Sequence, residues 1–152
     1  MSVDYTEGPE KKRLSKIYEV YTEPVLLICD ANGRVMHRME GKCTAGEMMA
    51  RLRQGLDVKN NLTAQKLMYD NGNRSSEFLI NYLETLHIAG LRTQRDSVLQ
   101  NIFSPSFHVD SLKTPKYWNV FLRYNESPVS REGSYVFKHR EEFYKLFGQQ
   151  IV

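Results

Sequence analysis

Residues 24–41 read PVLLICDANGRVMHRMEG, and they decide the fold. Val25–Cys29 is a continuous apolar run bounded by a proline and by turn residues, a pattern typical of a strand that is buried on both faces. Asn32-Gly33 tolerates the positive φ angles of a tight turn, and Val35–Met39 continues as a second strand. The stretch therefore predicts an antiparallel β-hairpin.

Helical patterns flank the hairpin on both sides. Apolar residues recur at helical spacing over Glu10–Tyr18, behind a charged face, which predicts a short amphipathic helix. After the hairpin, Thr44 and Glu47 have the spacing of a capping box, and the helix that they begin is expected to end near Gly55. Residues 1–5 have room for the end of a further strand.

Residues 1–57 are thus predicted to be α/β, in the order strand, helix, strand, strand, helix, whereas residues 58–152 are predicted to be all-helical. We expect a first module and a helical extension, packed as one body or as two. One last helix is expected to end at Gly148. Turn signals divide the helical region at Asn71–Asn73, Gly90, Pro105 and Thr114-Pro115.

The run KKRLSKIYEVYTEPVLLICDANGRVMHRMEGKCTAGEMMARLRQGL, residues 11–56, resembles the second half of a thioredoxin fold. An amphipathic helix, a proline, a buried strand, an Asn-Gly hairpin, an edge strand and a terminal helix follow one another as in that family. The resemblance covers roughly residues 3–56. It implies that Pro24 is cis and lies beside the family's redox pair, and that Glu23 offers backbone groups to a bound peptide. Glu23 and Pro24 are therefore the expected substrate-binding residues.

The helical region is similar to the extension of larger thioredoxin-like proteins of Bacteroidetes-type bacteria. Tyr69, the run Gly72-Asn73-Arg74, Phe78 and Tyr82 carry this likeness. Thiol–disulfide exchange is the role that the resemblance implies. Such relatives are often exported to the bacterial envelope, but the chain shows no apolar signal segment, so the compartment stays open.

The cysteines depart from the family pattern. Cys29 and Cys43 lie fourteen positions apart and form no C-x-x-C pair, and the family's elements around that motif have no counterpart in the sequence. Cys29 is expected to be a small buried core residue, and Cys43 an unreactive or modifiable surface thiol. No catalytic residue is assigned, and the chain is expected to be a portion of such a domain, inactive alone. The alternative is a non-catalytic module that binds a protein or peptide.

The absence of the family's preceding strands affects which partners are expected. In a complete thioredoxin sheet, the strand Val25–Cys29 pairs with a second neighbour, which this sequence does not contain. An unpaired apolar edge recruits other chains. Three outcomes stay open: a homo-oligomer formed through this edge, a partner polypeptide, or cover by the helical extension.

Composition and spacing disfavour several other classes. The formal charge of +3 comes from 21 basic and 18 acidic residues that are interspersed, so a nucleic-acid partner is not expected. The sequence contains no apolar run of membrane-spanning length. We expect no cofactor and no metal, because the histidines lack ligand spacing. They are His37, His87, His108 and His139. A run of aromatic residues is expected to be a helix face packed in a core: Tyr117, Trp118, Phe121 and Tyr124.

Overall fold

The computed structural model describes residues 8–22, 24–125 and 127–148, with the side chain of Lys11 left aside. This part is mixed α/β and mostly helical, with eight α-helices, one short 3-10 helix and a two-stranded antiparallel sheet. The strand expected at residues 1–5 lies outside the described residues. The elements in chain order are α1 Pro9–Ile17, β1 Val25–Cys29, β2 Val35–Glu40, α2 Ala45–Leu56, α3 Leu62–Asp70, α4 Ser76–Ile88, α5 Arg92–Ile102, the 3-10 helix Val109–Lys113, α6 Pro115–Tyr124, α7 Arg131–Lys138 and α8 Arg140–Phe147.

The predicted hairpin is confirmed. Strands β1 and β2 pair antiparallel, with a bulge where the register shifts between Ile28 and Cys29. Asp30 organises the turn, because its Oδ1 accepts the backbone N–H of Asn32 at 2.8 Å and that of Arg34 at 2.9 Å. Gly33 takes the positive φ, 76°, that a tight turn requires.

Burial within the hairpin differs from the prediction. No residue of β1 is fully buried; Leu26 is 39% exposed, and Cys29, expected in the core, is exposed. The buried strand is β2, whose central residues His37, Arg38 and Met39 are at most 8% exposed. The reason is that helices α2, α3 and α4 all contact β2. The apolar run of β1 therefore predicted a strand correctly. It did not predict that the helices would cover β2 instead of β1.

Helix ends follow their local signals in most places. Thr44 and Glu47 form the predicted capping box at the start of α2, in which the Thr44 N–H donates to the Glu47 carboxylate at 2.7 Å. Gly72 and Gly90 follow α3 and α4 with positive φ angles, 88° and 70°. The prediction of a single last helix was wrong. The structure has two helices there, α7 and α8, which meet at His139.

The chain divides into two compact units, Met1–Arg95 and Asp96–Val152, and the division falls within α5. In the first unit, α2, α3 and α4 contact the hairpin strand β2. The boundary expected at residue 57, between a first module and a helical extension, stays a prediction. The buried apolar residues of the first unit include Met39, Leu79, Tyr82, Leu83, Leu86 and Ala89.

An aromatic cluster forms the core of the second unit. Its buried members are Leu112, Trp118, Val136 and Phe143. Trp118 stacks on Phe147 with ring centroids 5.0 Å apart. Tyr117 and Phe121 pack against the cluster, and Tyr124 is buried. The aromatic run of α6 thus lies in or against the core, as its spacing predicted. In the described part of the chain, none of the helices is both long and apolar enough to cross a membrane.

Candidate functional site

The family resemblance implies that Glu23 and Pro24 bind substrate, and the structure describes only Pro24. Glu23 lies outside the residues that the structure describes. Pro24 is exposed directly before β1, and its carbonyl oxygen accepts the N–H of Gly41 at 2.9 Å, which closes the open end of the hairpin. Its role in binding stays a prediction.

The two cysteines occupy different elements, and both are free thiols. Cys29 is the exposed last residue of β1. Cys43 is half-buried and precedes Thr44, the N-cap of α2. The structure therefore gives neither thiol a disulfide partner within the described part of the chain.

Arg38 makes several hydrogen bonds to backbone groups of other elements in the first unit. It lies on β2 and is 8% exposed. Its guanidinium donates to three backbone carbonyl oxygens: Nε to Ala89 at 2.9 Å, Nη1 to Tyr18 at 2.9 Å and Nη2 to Glu19 at 3.2 Å. Tyr18 and Ala89 are the C-caps of α1 and α4, so the cation lies at the negative ends of two helix dipoles. The carboxylate of Glu40 lies 3.5 Å away.

Two concave regions border Arg38, and both lie within the first unit. The first cavity, of about 300 Å³, has mostly apolar walls and includes Leu27 of β1 and Leu62 of α3. The second cavity, of about 380 Å³, is more polar and includes Glu40 and Arg92. Their shared lining residues are Glu19, Arg38, Leu91 and Gln94. We call Arg38 with these two cavities the Arg38 site.

Two further polar side chains line the first cavity, Tyr82 and Lys66. Burial raises the pKa of Tyr82, which lines this cavity, to about 12, so its hydroxyl stays protonated at neutral pH. Lys66 also lines the cavity and pairs with Asp70 at 2.5 Å. The arrangement suits an apolar or peptide-like group better than acid–base chemistry.

His37 lies next to Arg38 along β2 and is fully buried. Its Nδ1 accepts the backbone N–H of Leu62, the first residue of α3, at 3.1 Å. Its Nε2 is buried and has no hydrogen-bond partner among the described residues. Burial lowers the pKa of His37, so the ring is neutral.

The two edges of the sheet differ. On β2, the Val35 carbonyl accepts the Thr63 hydroxyl of α3 at 3.0 Å. On β1, no second strand pairs with the outer side within the described residues. Because the Gly41 N–H bonds the Pro24 carbonyl, alternation along an antiparallel ladder directs the backbone groups of Val25 and Leu27 away from β2. We call these groups the β1 edge.

The sequence pattern predicts a strand that contains His37 and Arg38, but it indicates no binding role for either residue. A usable signal existed, since two adjacent titratable or charged residues interrupt an otherwise apolar strand. The described residues also contain no cluster of three or more His, Cys, Asp or Glu side chains suited to a metal ion.

Comparison with known proteins adds no family. No family model, no curated protein and no solved structure matches the chain.

Proposed function

We propose that this chain is a thioredoxin-family protein whose hairpin module belongs to a domain for thiol–disulfide exchange. One observation carries the proposal: α1, the β1–β2 hairpin and α2 follow one another in the family's order, while the β1 edge lacks a described partner. In a thioredoxin sheet, that edge joins the strand that leads into the C-x-x-C motif. The likeness to Bacteroidetes-type extended proteins adds support through α3 and α4.

The proposal assigns a supporting role to this part of the domain rather than the redox step itself. Disulfide exchange requires an activated thiolate with a resolving thiol beside it, and Cys29 and Cys43 lie on separate elements. A C-x-x-C pair must therefore come from another polypeptide segment. Glu23 and Pro24 would then line the peptide site next to that pair, and the chain alone would be inactive.

A second function is favoured by the Arg38 site and the β1 edge. An extended peptide could pair with Val25 and Leu27 by strand addition, and its side chains could enter the first cavity beside Leu27. In this case the chain is a non-catalytic binding module. A second copy of the chain could pair at the same edge and form a homo-oligomer.

An insulin-reduction assay with dithiothreitol tests the redox prediction. We expect the purified chain to give the same rate as its double variant Cys29→Ser/Cys43→Ser, because neither thiol has a resolving partner. Turnover that exceeds the variant's would contradict the prediction of inactivity.

The coding sequence on the 5′ side of Met1 separates the two functions. A reading frame that continues upstream with a strand, a C-x-x-C motif and a helix would support the thioredoxin proposal. A start site directly before Met1 would favour the binding module instead.

A further inference from the structure

At the joint between β2 and α3, a buried histidine holds a helix end. His37 Nδ1 accepts the Leu62 N–H at 3.1 Å, and the His37 ring is 0% exposed. This bond requires the neutral ring, with Nδ1 as acceptor and the proton on Nε2. That Nε2–H is the buried group for which the described residues offer no partner.

Protonation would make the joint repulsive. A protonated imidazole has two donors and no acceptor, so an N–H on Nδ1 would point at the Leu62 N–H. The added charge would also lie at the positive end of the α3 dipole. Inside the closed joint, such a charge would be buried, and none of the contacts recorded for the ring is to a carboxylate.

The groups placed against His37 do not titrate. They are its cross-strand neighbour Ile28, the backbone of Leu62, and Gly55 of α2, where an added Cβ would lie 2.9 Å from His37 Cδ2. The helices packed on β2 also carry charged or titratable residues. On α4, Glu77 and His87 are exposed and Glu84 is half-buried, and on α2, Arg51 is half-buried; no recorded contact joins any of them to the His37 ring. Arg38 binds helix C-termini and Glu40, Lys66 pairs with Asp70, Glu47 belongs to the capping box, and Arg53 is exposed.

We propose that His37 is a pH-sensitive latch, which holds the first turn of α3 on β2 when neutral and releases it when protonated. Release would affect more than this joint. Leu62, Thr63 and Lys66 of α3 line the first cavity, and the Thr63 hydroxyl covers the outer side of β2. Acidification would therefore open both the first cavity and the outer edge of β2.

The direction of the pH effect follows from the burial of the ring. The pKa of His37 is lowered in the closed state, whereas release returns it toward its ordinary value of about 6.5. The closed joint is therefore fully stable above about pH 6.5. It loses stability as pH falls, by up to about tenfold in the closing equilibrium for each pH unit, until the lowered pKa is reached.

Amide hydrogen exchange on the full chain, from pH 7.5 to pH 5.0, tests the latch. After correction for the intrinsic exchange rate, we expect protection of the Leu62 to Gln65 amides to fall as the pH drops below about 6.5, by up to about tenfold for each pH unit. The variant His37→Asn keeps an acceptor oxygen near the Nδ1 position but cannot titrate, so its protection should change less than about twofold. His108→Asn, an exposed control, should behave as the wild type.

Two results would overturn the latch: α3 protection in the wild type that does not depend on pH, or the same pH response in His37→Asn. Should His37→Asn not fold, the NMR titration of the His37 ring in the wild type decides the matter. The latch requires the Leu62 amide resonance to shift together with that ring. A ring that titrates near pH 6.5 while the Leu62 amide stays unchanged would refute it.

Discussion

Arg38 joins three elements through one side chain. Helix C-termini leave carbonyl groups without intrahelical partners, and Arg38 supplies donors to α1 and α4 from a position on β2. A guanidinium can do this because its donors diverge in a plane, whereas a lysine ammonium places its donors at one point. The residue therefore fixes where the ends of two helices lie relative to the hairpin, and with them the walls of both cavities.

Arg38→Met should strongly destabilise the first unit. The substitution keeps apolar volume but leaves the Tyr18, Glu19 and Ala89 carbonyls without this donor and Glu40 without its cation. We expect a loss of about 3 kcal/mol in the free energy of unfolding, and a smaller loss for Arg38→Lys. Urea denaturation followed by circular dichroism measures both. A loss below about 1 kcal/mol in Arg38→Met would show that the three carbonyls find other partners.

The helix α2 shows how an element is seated on the hairpin. Gly55 is buried near its C-terminal end, and a Cβ there would lie 2.3 Å from Ile28 Cδ1. The backbone of α2 thus approaches the side chains of β1 and β2 more closely than any other residue type would allow.

Gly55→Ala should destabilise the chain, although alanine favours helix formation by about 1 kcal/mol over glycine. Crowding against Ile28 and His37 should outweigh that gain and give a net loss of about 1–3 kcal/mol. Gly46→Ala, in the same helix, is the matched control because an added Cβ there meets no atom within 4 Å. Thermal unfolding measures both variants, and we expect a Tm below that of the wild type for Gly55→Ala but not for Gly46→Ala. Equal Tm values in the two variants would contradict close packing at Gly55.

Elements with local signals were predictable from the sequence, and long-range contacts were not. The Thr44 capping box and the turn at Gly33 depend on residues four or fewer positions apart, so one short window contains the whole signal. Arg38 instead binds a carbonyl 51 positions away, and the Leu62 N–H that reaches His37 is 25 positions away. Such partners become visible only when the helices have packed.

The break between α7 and α8 is a second case of long-range control. No glycine or proline stands at His139, so the sequence predicted one continuous helix. In the structure, Glu142 lies 3.0 Å from His139 Nδ1 and 2.9 Å from the Lys113 Nζ of the 3-10 helix. Glu142, in the first turn of α8, therefore contacts both the N-cap of its own helix and Lys113, which lies 29 positions earlier in the chain (142 − 113). Helical periodicity does not predict a contact at that separation.

At the scale of the whole molecule, the two edges of the sheet decide how the chain can associate. Helix α3 covers the outer side of β2 through Thr63. The β1 edge combines outward backbone groups at Val25 and Leu27 with an uncharged, partly exposed strand. Natural edge strands usually carry a charge or a proline that prevents pairing with other chains, and Val25–Cys29 contains neither.

Self-association through the β1 edge is therefore expected for the isolated chain. Light scattering coupled to size-exclusion chromatography should give a mass that rises above 17.8 kDa with concentration. Leu26→Lys places a charge on the edge strand at a side chain that is 39% exposed, so folding should be retained while the mass returns to that of the monomer. Val58→Lys, at a 74% exposed position outside the strand, should associate as the wild type does. A wild-type mass of 17.8 kDa at every concentration would mean that the β1 edge does not bind a second copy, and would leave a partner polypeptide and cover by the helical extension as the two remaining outcomes.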